Sequence, residues 1–426
     1  MVPSFMRALY VLATWLVFVL FGPALSLMRK TREGFWQRLG FYPDGLLPEG
    51  GHPRIWLHGA SAGDLLSLSP MIDRLRVRFP AAKVILSTIT NTGHLMATER
   101  LSKKIDAVVY APWDLWGATR RAARALRPDL LVLEYTEIWP NLIRAAHRRG
   151  CRIALTNGRF SPRRLGWYRR LFALIENPLD DIDLFLMREE DEAERVLSLG
   201  ARRERVMVTG NTKFDALAPA ERAVEDGGLR AALGLPAAAR VWIAGSTHEG
   251  EEEAILSAYR ALLPSAPDLR LVIAPRYIER AERVVGLATH AGFAVARRST
   301  GNPQGAPVVV LDSIGELAQA YRLATLVFVG GSFTTRGGQN ILEPAAQGKP
   351  VLFGPHMENF HDSVQVLVGR GGIQVKDADH LARVIAELLA RPDSLASLGI
   401  LASSAVRQVS GASDRNVEAM ARLVVA

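Results

Sequence analysis

Cysteine is almost missing: Cys151 stands alone in 426 residues. No internal disulfide can form, which fits a reducing compartment, and its apolar neighbours mark it as an inert core thiol. The nine histidines fall in no metal-ligand spacing, so no metal site is expected. Neither a Ser-His-Asp order nor a serine elbow occurs. No RNA- or DNA-reading motif accompanies the net charge of +9, which turns the basic balance away from nucleic acid. Fixed-period repeats and low-complexity tracts are absent too.

Charge is lacking in one place above all. Ala8 to Met28 contains no charged residue, is apolar on every side, and is long enough to cross a bilayer as a helix. Arg29, Lys30, Arg32 and Arg38 follow it. The positive-inside bias therefore predicts a single-pass membrane anchor over residues 1–30, with the remainder in the cytoplasm. A cleaved signal peptide ending near Ala24-Leu25-Ser26 fits less well, because the run is longer than a signal core. Further arginines cluster at Arg120–Arg124, Arg148–Arg152 and Arg159–Arg170. Beside an anchor they are expected to meet anionic lipid headgroups or a phosphorylated lipid, although solvated helix faces account for part of them.

A chain of this length exceeds one typical core, so two domains are expected. Short apolar strands alternate with helices from Arg54 to Thr156, and the pattern resets near Gly210 and runs to the C-terminus. That pattern predicts two doubly wound α/β domains with parallel sheets, over residues 31–212 and 213–426, joined near Asp215–Asp226. Facing each other, they would enclose a central cleft at the C-terminal ends of their strands.

The chemistry-bearing motifs all sit at such strand ends. Gly330 to Phe360 is the richest: two glycine pairs, Gly330-Gly331 and Gly337-Gly338, precede a helix start with Asn340, Ile341, Leu342 and Glu343. Glycines there admit close approach of a ligand, helix N–H groups hold phosphate, and Glu343 suits a ribose. Ser246 and Thr247, in the run Gly245 to Glu253, either bind phosphate or cap a helix that Glu249 to Glu253 load at its first turn; His248 is a ligand contact or a packing residue. Arg276, after Pro275, offers a fork for phosphate or lies on a helix start. Ile314, Gly315 and Glu316 form another loop-to-helix step. In the first domain Asp64 either accepts a proton from an attacking hydroxyl or caps its helix. Glu134, Tyr135 and Glu137 precede a Trp-Pro step, and strand alternation puts Glu134 and Tyr135 on opposite faces. Lys213 follows Gly-Asn-Thr, where it could meet a phosphate or a sugar carboxylate.

As a set these motifs resemble the Kdo transferases, which attach 3-deoxy-D-manno-octulosonic acid to the lipid A precursor. The resemblance runs from Arg32–Gly40 to the end and is carried by Glu137–Leu142, Gly210–Asp215, Ser246–Glu252, Gly330–Pro344 and Gly354–Phe360. It implies a GT-B fold of two Rossmann-like domains, CMP-Kdo as donor substrate with no other cofactor, and a place at the bacterial inner membrane. It also implies that Pro275, Arg276, Ile314, Gly315, Glu316 and Asn340 to Glu343 bind CMP. Lys213 then stabilises the transition state, and Asp64 stands where the family has its general base. Three departures stand out. Asp64 replaces a glutamate, Tyr135 replaces another while Glu137 is kept, and Tyr277 and Gln339 occupy positions where histidine is usual. They open two alternatives: a transferase with a changed lipid acceptor, or a non-catalytic nucleotide-sugar binder at the inner membrane.

Overall fold

A computed structural model describes residues 2–217, 226–300 and 305–425. The chain forms two units, Met1–Ala216 with Ser410–Ala426, and Leu217–Val409. In the first, seven parallel strands are β1 (Arg54–His58), β2 (Lys83–Thr88), β3 (Ala107–Tyr110), β4 (Leu130–Glu134), β5 (Arg152–Gly158), β6 (Leu184–Met187) and β7 (Val206–Val208). Their order is β3-β2-β1-β4-β5-β6-β7. Every residue of β1 and β4 is buried, since helices cover both sheet faces; that is why these strands read as continuous apolar runs. Strand order reverses between β1 and β4, so the loops that follow them part to opposite faces and leave room for polar side chains between.

The second unit repeats the plan with β8 (Val241–Thr247), β9 (Arg270–Pro275), β10 (Val295–Arg297), β11 (Val308–Val310), β12 (Leu326–Val329), β13 (Val351–Phe353) and β14 (Gly372–Gln374). The order β10-β11-β9-β8-β12-β13-β14 places its reversal between β8 and β12. One strand in each sheet is interrupted near its end by a register shift at one non-glycine residue in the left-handed region. In β5 this is Asn157 (φ 52°), and in β8 it is Ser246 (φ 55°).

Two expectations are corrected. The final helix, Ala412–Val425, belongs to the first unit rather than the second. Val417, Met420 and Ala421 are buried in the same core as Leu65, Leu68, Ile72 and Leu75 of the Ala62–Arg78 helix. Asp215 caps this last helix, accepting from the backbone N–H groups of Gly411 and Ser413 at 2.5 Å each. Most of the expected linker, residues 218–225, lies outside the described residues.

The apolar run at the N-terminus is one helix, Val2–Leu27. Among the described residues, however, no helix is long and apolar enough to cross a membrane, so the single-pass anchor is not upheld. The physical reason is that one flank of this helix is already occupied. The Tyr10 hydroxyl donates to Asp114 Oδ2 at 2.8 Å, and the Phe18 ring lies 5.3 Å from that of Trp113. A helix docked along one side cannot be wrapped by lipid on every side. Leu9, Leu12, Leu16, Val19 and Leu20 remain exposed.

Candidate functional site

At the β1/β4 reversal, two carboxylates are held in different ways. His58 ends β1 and is buried; its Nδ1 lies 2.9 Å from Ser87 Oγ and its Nε2 3.3 Å from Glu137 Oε2. Trp139 Nε1 donates to the same Glu137 oxygen at 2.7 Å. Burial alone would raise the Glu137 carboxyl. The contacts from His58, then that from Trp139, outweigh burial and hold it below the usual range. Glu137 is thus a fixed anion at the start of the Pro140–His147 helix.

Glu134 is fully buried. Its carboxyl takes Thr156 Oγ1 at 2.6 Å, Ser67 Oγ at 3.0 Å, and the Asn157 amide. Burial dominates all the same and pushes it up to about 7. Asn157 reaches onward: its Oδ1 accepts from Thr212 N at 3.0 Å, and Thr212 Oγ1 donates to Ser67 O at 3.2 Å. This chain of contacts ties the Gly210–Asp215 segment to the reversal point and leaves Lys213 beside it, exposed. Strand alternation fails here. Tyr135 adopts φ 57°, which turns it off the strand, so Glu134 and Tyr135 both neighbour Ser67.

The raised Glu134 pKa has a definite sign. Its folded value exceeds the ordinary 4.5, so the folded state holds the proton longer. The associated stability is complete below about pH 4.5 and is lost as pH rises through about 7; the full change is about 3 kcal/mol at ~1.4 kcal/mol per pH unit. Glu134→Gln should therefore melt higher than wild type at pH 8 and converge with it near pH 5. Parallel melting curves across that range would contradict this.

Asp64 sits at the third position of its helix. Its Oδ2 accepts from Ser61 N at 2.8 Å and from Ser61 Oγ at 2.9 Å, a capping box. The capping role is therefore realised. The side chain is nevertheless half-exposed, so it keeps access to a hydroxyl.

The β8/β12 reversal is built around a residue that the sequence reading passed over. Glu251 is fully buried and accepts four backbone N–H groups: His248 at 2.8 Å, Gly331 at 2.6 Å, Ser332 at 3.0 Å and Phe333 at 2.9 Å. One carboxylate thus stitches the loop after β8 to the loop after β12. Gly330 is required beside it, because a Cβ there would fall 2.6 Å from the Thr247 backbone. The following helix starts at Glu252, not Glu249, and Glu252 is buried against Arg280 at 3.2 Å and Thr247 at 3.0 Å. Three successive glutamates, where helix-dipole loading needs one, were the available signal.

Around this frame a concavity of about 340 Å³ opens, lined by Ser246, Pro275, Arg276, Tyr277, Ser313, Ile314 and Gly315 among others. Five of the expected donor-site residues meet there. Ile314 is 87% exposed and Tyr277 56%, unusual values for apolar side chains flanking a cavity, and they suit a planar ligand group. Arg276 stands over the Tyr277 ring at 5.8 Å.

Others are placed differently. Thr247 is buried and donates to Glu252, and Ile341 and Leu342 lie in the core, so only their backbones are available to a ligand. Glu316 is paired with Arg298 at 3.0 Å and bonded to Ser313. Asn340, two residues before the Leu342–Ala346 helix, accepts from Leu342 N at 3.1 Å, while burial raises the carboxyl of Glu343. His248 is a packing residue: Gln339 lies 3.4 Å away, and the Tyr277 ring meets it edge-on at 5.7 Å. Burial also depresses its pKa. Among the described residues no group of His, Cys, Asp and Glu could hold a metal ion.

Comparison with known proteins places this arrangement. The family profile described as "3-Deoxy-D-manno-octulosonic-acid transferase (kdotransferase)" matches residues 33–216. A 3-deoxy-D-manno-octulosonic acid transferase of Haemophilus influenzae is 33% identical over 87% of this chain and 86% of its own. That of Bordetella pertussis is 30% identical, covering 86% of each. The solved UDP-GlcNAc 2-epimerase of Neisseria meningitidis shares the fold alone: TM-score 0.58 and 15% identity over 87% of this chain and all of that one. The chain belongs to the 3-deoxy-D-manno-octulosonic acid (Kdo) transferases, glycosyltransferases of GT-B fold.

Proposed function

We propose that this protein transfers Kdo from CMP-Kdo to a lipid A precursor at the bacterial inner membrane, in lipopolysaccharide assembly. The observation that carries the reading is the 33% identity to a Kdo transferase over 86% of that protein's length; the cavity gathering Pro275, Arg276, Ile314 and Gly315 supports it. Asp64 takes the proton of the acceptor hydroxyl as its oxygen bonds to the anomeric carbon. The bond from that carbon to the CMP phosphate breaks, and CMP leaves with the electron pair. Arg276 holds the phosphate, Lys213 offsets the charge that develops, and the side chains of Tyr277 and Ile314 flank the base. Glu137 fixes the loop after β4 from its bonds to His58 and Trp139. No resident metal is called for, because arginine and lysine supply the positive charge. The exposed apolar side of the Val2–Leu27 helix lies in the membrane interface rather than across the bilayer.

The test is turnover in detergent with CMP-Kdo and a tetraacylated precursor, with and without a chelator, read by mass spectrometry of the lipid. Addition of one or more Kdo units, unaffected by the chelator, is the expected result. Arg276→Ala should raise the donor KM about ten- to a hundredfold, the worth of one charge-assisted hydrogen bond; an unchanged KM would remove Arg276 from the site. Tyr135, standing where the family has a glutamate, favours one second reading, a changed lipid acceptor. It predicts protection by CMP against thermal unfolding but no product with this precursor.

A further inference from the structure

A separate concavity of the first unit, about 290 Å³, is walled by Trp116, Arg120, Arg124, Ala145, Arg148 and Arg149. Four of its six residues are arginines and none is acidic. Among the described residues, no carboxylate lies within ion-pair distance of any of the four. Trp116, Arg120 and Arg124 recur at four-residue spacing along the Trp116–Leu126 helix and so share one face. Arg148 and Arg149 follow the end of the Pro140–His147 helix. The guanidinium carbons of Arg148 and Arg120 stand 5.1 and 5.7 Å from the Trp116 ring. Contact with that ring restrains two otherwise mobile forks. Like charges spaced four apart on a helix repel, and no carboxylate among the described residues relieves them here.

We propose that this pocket binds a phosphate ester, with the arginine forks taking its oxygens and Trp116 packing against its alcohol carbons. Phosphate suits the site because it accepts paired N–H groups from guanidinium and can carry more than one negative charge. The ester can be a lipid headgroup or a soluble phosphate. The surroundings lean toward lipid: Trp15 of the Val2–Leu27 helix lies against Gly117, 3.4 Å from where a Cβ would stand, and that helix exposes Leu12, Leu16 and Leu20. The site does not depend on the sugar-transfer reading.

Full-length protein would be sedimented with phosphatidylcholine vesicles lacking or containing phosphatidylglycerol, and melted with and without glycerol 3-phosphate. The variants are Arg120→Gln/Arg148→Gln, the milder Arg120→Lys/Arg148→Lys, and Arg163→Gln/Arg164→Gln as a charge-matched control on exposed residues. Circular dichroism would verify folding. The expected result is vesicle binding at least tenfold weaker in the glutamine pocket variant, an intermediate loss in the lysine variant, and less than a twofold change in the control. Detergent turnover of the pocket variants should match wild type, so a failed transferase assay leaves this test standing. A melting shift with glycerol 3-phosphate, present in wild type and absent from the pocket variants, would support the site and name a soluble source. Equal losses in pocket and control variants, or no loss in either with no melting shift, would overturn the proposal.

Discussion

Glu251→Ala is expected to lower the melting temperature of the second unit by about 10 °C or more. The carboxylate accepts four backbone N–H groups in a site without solvent access. Deleting it strands those donors, each at about 1–3 kcal/mol, against a total stability of about 5–15 kcal/mol for a domain. Water entering the vacated space would recover part of this, so the loss stays below the sum. Glu251→Gln is a sharper probe. It keeps the shape but turns an NH2 group toward N–H donors, and should lose about half as much. Thermal or urea unfolding followed by circular dichroism measures both. A Glu251→Ala protein melting within about 2 °C of wild type would mean that the two loops are held by something else. Because Ser246, two residues before His248 at the end of β8, lines the cavity proposed for the donor, the folded fraction should also bind CMP more weakly.

Asp64→Asn should lower kcat by about 10²- to 10⁴-fold, the usual worth of a positioned general base, while barely changing stability. The cap is shown and the base is proposed, and asparagine separates the two roles. Its amide oxygen can still accept from Ser61 N, as Asp64 Oδ2 does at 2.8 Å, so the cap survives within a few tenths of a kcal/mol. It cannot take a proton at neutral pH. Full activity in Asp64→Asn would leave the residue as a cap alone, and the base would have to be sought elsewhere. Asp64→Glu tests the departure from the family: if the shorter side chain holds the carboxylate back, lengthening it raises kcat.

The central strands and the helices between them were legible because burial on both faces forces continuous apolar runs, as in Leu130–Leu133 and Leu326–Val329. β6, β7, β10 and β14 were not; β6 was passed over although it is as buried as β4. The other three are three-residue edge strands only partly covered, so composition leaves little trace of them. Of the cavity residues, Arg276 could be read from its place just after β9, whereas Pro275, Ile314 and Gly315 came only from the resemblance to the Kdo transferases. Glu251 could not be singled out within a glutamate run, since its inward turn depends on contacts some eighty residues away. The error over Glu134 and Tyr135 has a local cause: alternation holds only while φ stays extended, and Tyr135 leaves that region. The single-pass reading of the Val2–Leu27 helix is not supported, and hydropathy alone could not decide it, because it reports which residues avoid water. It does not say whether a protein surface or lipid receives them.

Asp215 gives the chain an unusual topology. The polypeptide departs from the first unit just beyond this residue and re-enters it at Ser410, and a single carboxylate touches both thresholds. The second unit is thus a cassette spliced into the first, with its two seams side by side. Such a cassette can be exchanged for another of like fold without stretching its host, which is how insertions persist through evolution. The same arrangement inverts the meaning of a C-terminal truncation. Trimming the last turns strips Val417 and Met420 from the core beneath the Asp64 helix, so the damage lands on the part of the molecule encoded first.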